Sequence, residues 1–324
     1  MQFRKAVCIY NPASGRRTLK SRAREVEAVL ARSVGSVELR ATGSPGHAGQ
    51  LARGAADRGC DLVACLSGDG TVNEAVQALA GTQSPALLVL PGGTANVLVH
   101  EIGLPLQSAA AAAMLPTLTP ATVRLGEVHF ESTATTRYFL LMCGAGLDAA
   151  IAMRVSTKLK RRLGQGAYWV SAASQCLRRF PKLRAIADRD AQPDRSCCLA
   201  VVSKSRMYGG RLVFTPGAHL LAEDLEASEV IGSSRLLCGS YLVAAALRSP
   251  QLWPGVRLRR CRELRLVPDG PVPVPVQVDG EVAGFLPARV SLSRAACTLL
   301  VPPEYVNSYR HEGRRSRQGH FDQR

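Results

Sequence analysis

Along the first 120 residues, short apolar runs alternate with stretches in which apolar residues return every three or four positions. Ala6 to Tyr10 reads as a strand and ends in a loop at Asn11 to Gly15. A helix with Val26, Val29 and Leu30 on one face comes next, then a strand at Val37 to Ala41 and a helix at His47 to Arg58. Asp61 to Leu66 is a third strand, followed by a helix from about Val72 to Ala80 and a strand at Ala86 to Leu90. Strands alternating with helices predict a parallel sheet covered on both faces. The Ala109 to Ala113 run fits a further helix.

Beyond about residue 122 the pattern changes. Apolar–polar alternation appears in Val256 to Arg260, Glu263 to Val267, Val274 to Val278 and Val290 to Ser293, with connections rich in Pro and Gly. That texture predicts antiparallel strands in a sandwich or barrel. The expected organisation is therefore α/β with two domains: an N-terminal parallel-sheet α/β domain over residues 1–122 and an antiparallel β-sandwich domain over 123–305. A basic helical insertion is expected near 151–184, and a flexible basic tail over 306–324.

Charge narrows the field. Lys and Arg number 41 against 25 Asp and Glu, a formal net charge of +16. Such a surface suits nucleic acid, an anionic membrane or a polyphosphate ligand. With aromatics at 5% and no RNA-binding aromatic motif or zinc-finger spacing, no nucleic-acid partner is expected. The ten cysteines are scattered and form no C-x-x-C, so they read as buried thiols. No stretch approaches 18 uninterrupted apolar residues, and the first residues lack a signal-peptide pattern, so a cytoplasmic protein is expected.

Chemistry concentrates where the strands of the first half end. Three glycine-bearing loops lie there: Asn11-Pro12-Ala13-Ser14-Gly15, Ser67-Gly68-Asp69-Gly70-Thr71-Val72-Asn73-Glu74, and Pro91-Gly92-Gly93-Thr94-Ala95-Asn96. Open α/β sheets bind ligands at such carboxyl ends. Glycine lets backbone approach a phosphate closely, and the second and third loops each open a helix whose free N–H groups favour an anion. No Gly-Lys dipeptide occurs, so this is not a Walker A loop.

These loops carry a resemblance. Ser67 to Glu74 resembles the G-G-D-G-T-x-N-E signature of the diacylglycerol kinase catalytic domain, shared with sphingosine and ceramide kinases; Ser67 stands where a first Gly is commoner. Asn11 to Gly15 is similar to that family's N-P-x-S-G, and Leu90 to Asn96 with Gly103-Leu104-Pro105 to its P-x-G-T-x-N…G-x-P block. Gly144 to Ala149 resembles its G-x-G-x-D-A, and Gly209-Gly210 with Pro216, Ala218 and Asp224 its G-G…P-x-A…D-G segment. Val278-Asp279-Gly280-Glu281 is similar to its late D-G-E. The blocks occur in family order from residue 11 to 281.

The resemblance implies a kinase that transfers the γ-phosphoryl group of ATP to a hydroxyl of a membrane lipid, with Mg²⁺ as the second cofactor. ATP contacts carried over are Asn11, Pro12, Ala13, Ser14, Gly15, Thr42, Gly68, Asp69, Gly70, Thr71, Val72, Asn73, Glu74, Gly93, Thr94 and Asn96. The proton acceptor it implies is Glu281 with Asp279 in support, and Asp69 is the rival, as water-mediated Mg²⁺ ligand or as base. Asp279 and Glu281 would point the same way on an extended segment, although Asp-Gly between apolar alternations also signals a type I′ hairpin. Asp148 matches the family's position for orienting the lipid headgroup. A structural Mg²⁺ site implied by the bacterial relatives falls on Leu221, Asp224 and Glu226, where Leu225 replaces the usual Gly.

From Arg154 to Arg184 there are nine Lys or Arg residues and no acid, flanking Tyr168 and Trp169. This pattern fits docking on an anionic leaflet. A lipid at such a surface is the expected partner, and a homodimer is left open. Two other functions fit parts of the sequence: an NAD kinase, which shares the Gly-Asp-Gly loop, and an inactive nucleotide-regulated membrane-binding protein.

Overall fold

A computed structural model describes residues 3–14, 19–154, 181–187, 195–210, 212–232, 241 and 244–318. In the first part, β1 (Phe3–Tyr10), α1 (Leu19–Leu30), β2 (Val34–Ala41), α2 (His47–Asp57), β3 (Leu62–Ser67), α3 (Asp69–Leu79) and β4 (Ala86–Pro91) alternate as the apolar pattern predicts. The strands lie in the order β4-β3-β1-β2 and all pair in parallel, with Leu62 opposite both Ala6 and Ala86. Every residue of β3 and β4 is buried, the signature of strands covered by helices on both faces. Two short helices, α4 (Val97–Ile102) and α5 (Ser108–Ala113), follow β4.

The second part is built from antiparallel strands: β5 (Thr119–Phe130), β6 (Thr135–Phe139), β7 (Met142–Gly146), β8 (Leu183–Ile186), β9 (Ser196–Ser203), β10 (Met207–Tyr208), β11 (Leu212–Val213), β12 (Leu225–Ile231), β13 (Val256–Cys261), β14 (Glu263–Pro268), β15 (Pro275–Val278), β16 (Glu281–Phe285) and β17 (Ala288–Val301). Helix α6 (Leu147–Arg154) leaves the end of β7. The second half closes on its own core of Phe130, Phe139, Val276, Leu264 and their neighbours.

The long strand β17 joins the halves. It runs antiparallel to β5 from Ala288↔Phe130 to Val301↔Thr119, and its far end pairs in parallel with β4 at Leu299↔Leu87. Residue 122 thus lies within β5, and the last strand of the chain borders the first sheet.

Two expectations need correction. Helix α3 starts at Asp69, not near Val72: Ser67 ends β3 directly, so the Gly-Asp-Gly run is already the first helical turn. The expected tail from residue 306 is helical as far as Gln318, in α7 (Pro303–Gln318). Its start is anchored because Tyr305 is buried, donates its hydroxyl to Glu101 Oε1 (3.0 Å), and stacks on His219, as does Tyr309. Composition alone could not reveal those contacts. The basic insertion falls, from residue 155 to 180, outside the described residues.

Candidate active site

Three loops meet at the carboxyl ends of β1, β3 and β4. Asn11 Oδ1 accepts the Ala13 N–H (2.9 Å) and its carbonyl accepts the Ser14 N–H (3.0 Å), so the loop after β1 is a tight Asx turn. Ser14 Oγ then donates to the Gly92 carbonyl (3.2 Å), and the Gly92 N–H donates to the Ser67 carbonyl (3.1 Å). A side chain on Gly92 would stand 2.8 Å from the Ser67 nitrogen, and one on Gly93 would collide with the Gly68 Cα. Glycine is required here by close approach. Asn96, at φ 45°, accepts the Gly93 N–H through Oδ1 (2.9 Å) and returns a bond from Nδ2 to the Gly93 carbonyl (3.1 Å). It shapes the loop after β4, on which Thr94 is exposed, while Pro12 and Ala13 are exposed on the loop after β1. Thr42 is buried at the end of β2, its N–H bonded to the Tyr10 carbonyl (2.9 Å). Gly15 lies outside the described residues.

The first turn of α3 faces this junction. Its N–H groups have no helical acceptors and its dipole is positive at that end. Asp69 Oδ1 accepts the Leu98 N–H (3.3 Å); burial, together with the Asp279 carboxylate, pushes its carboxyl up to about 6. Thr71 accepts a bond from Ser67 Oγ (2.9 Å), and Val72 is buried. The next two positions turn away from any ligand. Asn73 Nδ2 donates to Asp279 Oδ2 (2.7 Å), and Glu74 accepts the Gly46 and Ala48 N–H groups (2.8 and 3.0 Å). Glu74 therefore caps α2 from a neighbouring helix, each of its carboxylate oxygens taking one backbone N–H.

Asp279 and Gly280 are the two central residues of the β15–β16 hairpin, at φ 47° and 88°, the positive values that a type I′ turn demands. The hairpin and the chemical motif are one feature. The turn also overrules the expectation that Asp279 and Glu281 point the same way. Asp279 is buried and accepts the N–H groups of Leu140 (3.0 Å), Leu141 (3.0 Å) and Met142 (2.9 Å) as well as the Asn73 amide. Burial raises its pKa and these four donors pull against that rise. With its lone pairs filled, Asp279 fastens the hairpin to α3. Glu281 is exposed instead, and its Oε1 lies against the Cα of Gly70, so close that a side chain on Gly70 would displace it.

Sequence reasoning missed Gln77, one helical turn beyond Asn73, and Tyr138 on β6. Gln77 Nε2 donates to the Tyr138 carbonyl (2.5 Å) and its Oε1 accepts the Tyr138 N–H (3.0 Å). These bonds brace α3 against β6. Only the spacing of Gln77 four residues after Asn73 hinted at a shared face.

Asp148 sits in the first turn of α6, which packs against β7, β15 and β16; its side chain lies outside the described residues. The segment expected to hold a structural Mg²⁺ has a different chemistry. Asp224 is gripped by Arg260 (Nε to Oδ2 2.9 Å, Nη2 to Oδ1 2.7 Å), Glu226 Oε2 accepts the Gly217 N–H (2.7 Å), and Leu225 is buried. Among the described residues no group of three His, Cys, Asp or Glu side chains is arranged to hold a metal. Leu221, Asp224 and Glu226 do not fit the ion.

Comparison with known proteins bears on the same residues. Residues 5–128 match the family model described as the diacylglycerol kinase catalytic domain. The chain is 32% identical over 186 residues to a Bacillus subtilis protein named diacylglycerol kinase, covering 56% of this chain and 57% of that relative's length. It is 30% identical over 262 residues to a Pseudomonas putida protein named "Probable lipid kinase YegS-like", covering 77% of this chain and 84% of the relative. A crystal structure of a diacylglycerol kinase from Bacillus anthracis shares the fold, with a TM-score of 0.70 and 19% identity over 94% of this chain and 99% of that one. From residue 11 to residue 281 the motifs stand in one order on one fold, and the chain belongs to the diacylglycerol kinase catalytic domain family of lipid kinases.

Proposed function

We propose that the protein transfers the γ-phosphoryl group of Mg²⁺-bound ATP to a hydroxyl of a membrane lipid, with Glu281 as proton acceptor. The observation that carries this reading is the position of Glu281, exposed and lying over the first turn of α3, where the glycine loops converge. Phosphoryl transfer asks the protein mainly for alignment and charge stabilisation. The α3 N-terminus supplies N–H donors to the phosphates, while Gly68, Gly92 and Gly93 keep side chains out of their path. Glu281 takes the hydroxyl proton as the new oxygen–phosphorus bond forms and the bond from the γ-phosphorus to the β-phosphate oxygen breaks, releasing ADP.

A divalent ion at the first turn of α3 would rest on the Asp69 carboxylate and on the phosphates themselves, since no cluster of three ligating side chains forms among the described residues. Asp69, Asp279 and Glu281 have no ion-pair partner among the described residues, and Asp69 is held above its ordinary pKa by burial and by Asp279. Such a surface would repel a bare triphosphate. Mg²⁺ supplies neutralisation of the phosphate charge, and Asp69 is the residue that would hold it, through water.

A lipid acceptor is supported by apolar side chains beside the base. Val282 and Phe285, on the strand that begins with Glu281, are 40% and 45% exposed, and Met153 at the end of α6 is 53% exposed. The basic stretch 154–184 adds attraction to an anionic leaflet. No helix among the described residues is long and apolar enough to cross a membrane.

The test uses labelled ATP, Mg²⁺ and mixed micelles carrying diacylglycerol, sphingosine, ceramide or phosphatidylglycerol, with NAD as a separate soluble acceptor. Label entering the organic phase with wild type and lost with Glu281→Ala is the expected result. Label on NAD alone, or on no acceptor, overturns it.

A further inference from the structure

The stretch from Gly217 to Glu226 is crowded with cations that belong to the protein. Lys204, at the turn after β9, is completely buried, and its ammonium donates to the Ala222 carbonyl (2.6 Å). Arg260 on β13 sits opposite Glu226 in the β12–β13 ladder. It holds both oxygens of Asp224 and donates from Nη1 to the Gly217 carbonyl. Arg124 Nη1 takes Glu223 Oε2 at 2.7 Å. Asp224 and Glu223 are thus matched by guanidinium groups, and Glu226 accepts a backbone N–H.

A structural dication stabilises a loop by gathering carboxylates and backbone carbonyls onto one positive charge. Here the same donor types are already gathered. An ammonium takes the backbone carbonyl, and a guanidinium takes the carboxylate and a second carbonyl. Bringing Mg²⁺ alongside would require breaking a bidentate Arg–carboxylate pair and placing two further charges beside fixed cations.

We propose that Lys204 and Arg260 replace the structural metal of this segment, so that the loop holds its shape through the protein's own side-chain cations and without a divalent ion. The arrangement is linked to the catalytic half. Leu220 donates its N–H to the Tyr305 hydroxyl (3.2 Å), which bonds Glu101 on α4, the helix that follows the third glycine loop. Glu101 also accepts bonds from Ser205 Oγ (2.8 Å) and the Met207 N–H (3.0 Å), on the turn that bears Lys204.

Thermal unfolding of the nucleotide-free protein tests this, because it reads the loop and not turnover. Wild type dialysed against EDTA is expected to melt at the same temperature as wild type in Mg²⁺. Lys204→Met and Asp224→Asn are expected to melt several degrees lower, by equal amounts in EDTA and in Mg²⁺. If EDTA lowers the wild-type melt to the level of Asp224→Asn and Mg²⁺ restores it, an ion holds the loop and the proposal fails. It fails equally if Lys204→Met melts like wild type. Should Lys204→Met not fold, the two wild-type melts still distinguish a loop held by an ion from one held by side chains.

Discussion

Two groups of carboxylates in this chain are treated in opposite ways. Around the first turn of α3, Asp69, Asp279 and Glu281 gather with no ion-pair partner among the described residues. In the 217–226 segment, Glu223 and Asp224 are each paired to an arginine. On the proposed function, the fold thus places its cations where geometry has to be held and withholds them where the Mg²⁺-bound nucleotide would enter. Unpaired charge costs stability, so its persistence marks a site whose partner arrives from outside. Within the first group the division continues: Asp279, with four donors, is a fastening, whereas Glu281 is left exposed.

Substitutions among the unpaired carboxylates and their neighbours can break or sharpen this contrast. The largest effect is expected from Glu281→Ala, which should lower kcat by about 10²–10⁴-fold while leaving the melting temperature near that of wild type. A parallel loss of stability would show that Glu281 is structural. Gly70→Ala tests the same carboxylate indirectly. Its new methyl collides with Glu281 Oε1 and forces the carboxylate aside, so kcat should fall by about 10²-fold with little change in ATP affinity. Since the methyl meets only the end of a flexible side chain, the variant should still fold.

Asp279→Asn leaves the geometry but turns an acceptor into a donor facing backbone N–H groups. A loss of about 3 kcal/mol in chemical denaturation is expected. Activity surviving intact in a variant of full stability would contradict the fastening role. For Asp69 the sign runs the other way. Its folded pKa, about 6, lies above the ordinary carboxylate value of 3.8, so ionisation above pH 6 works against the folded state. Asp69→Asn should therefore melt above wild type at pH 7.5, lose transfer activity, and forfeit its stability advantage as pH falls towards 4. A variant less stable at pH 7.5 would refute this. The smallest effect, about 1 kcal/mol, is expected for Glu74→Ala, through loss of the α2 cap.

Much of this was legible along the chain. Period-two and period-3.6 patterns are local properties, so β1 to β4 and their helices could be read from apolar spacing, with boundaries off by a few residues. The glycine loops were legible because a close approach tolerates few side chains. Asp279-Gly280 was legible twice over, as turn and as motif, and both descriptions hold.

What eluded the sequence depends on residues far apart in it. Glu74 looked like part of a nucleotide loop because it follows Gly-Asp-Gly-Thr; only the packing of α2 on α3 turns it into a cap for residues 26 and 28 positions away. The Asn73–Asp279 bond spans 206 positions, and no pattern in either segment announces it. Lys204 and Arg260 gave no signal at all, since lysine and arginine in a basic chain read as solvent-facing charge. Element type, loop chemistry and the ordered motifs were determined by the sequence itself, because backbone sterics and apolar spacing act over a few residues. Which carboxylate is fastened, which is free and which cation stands where a metal was expected were decided by the tertiary structure, because charge pairing and burial act through space.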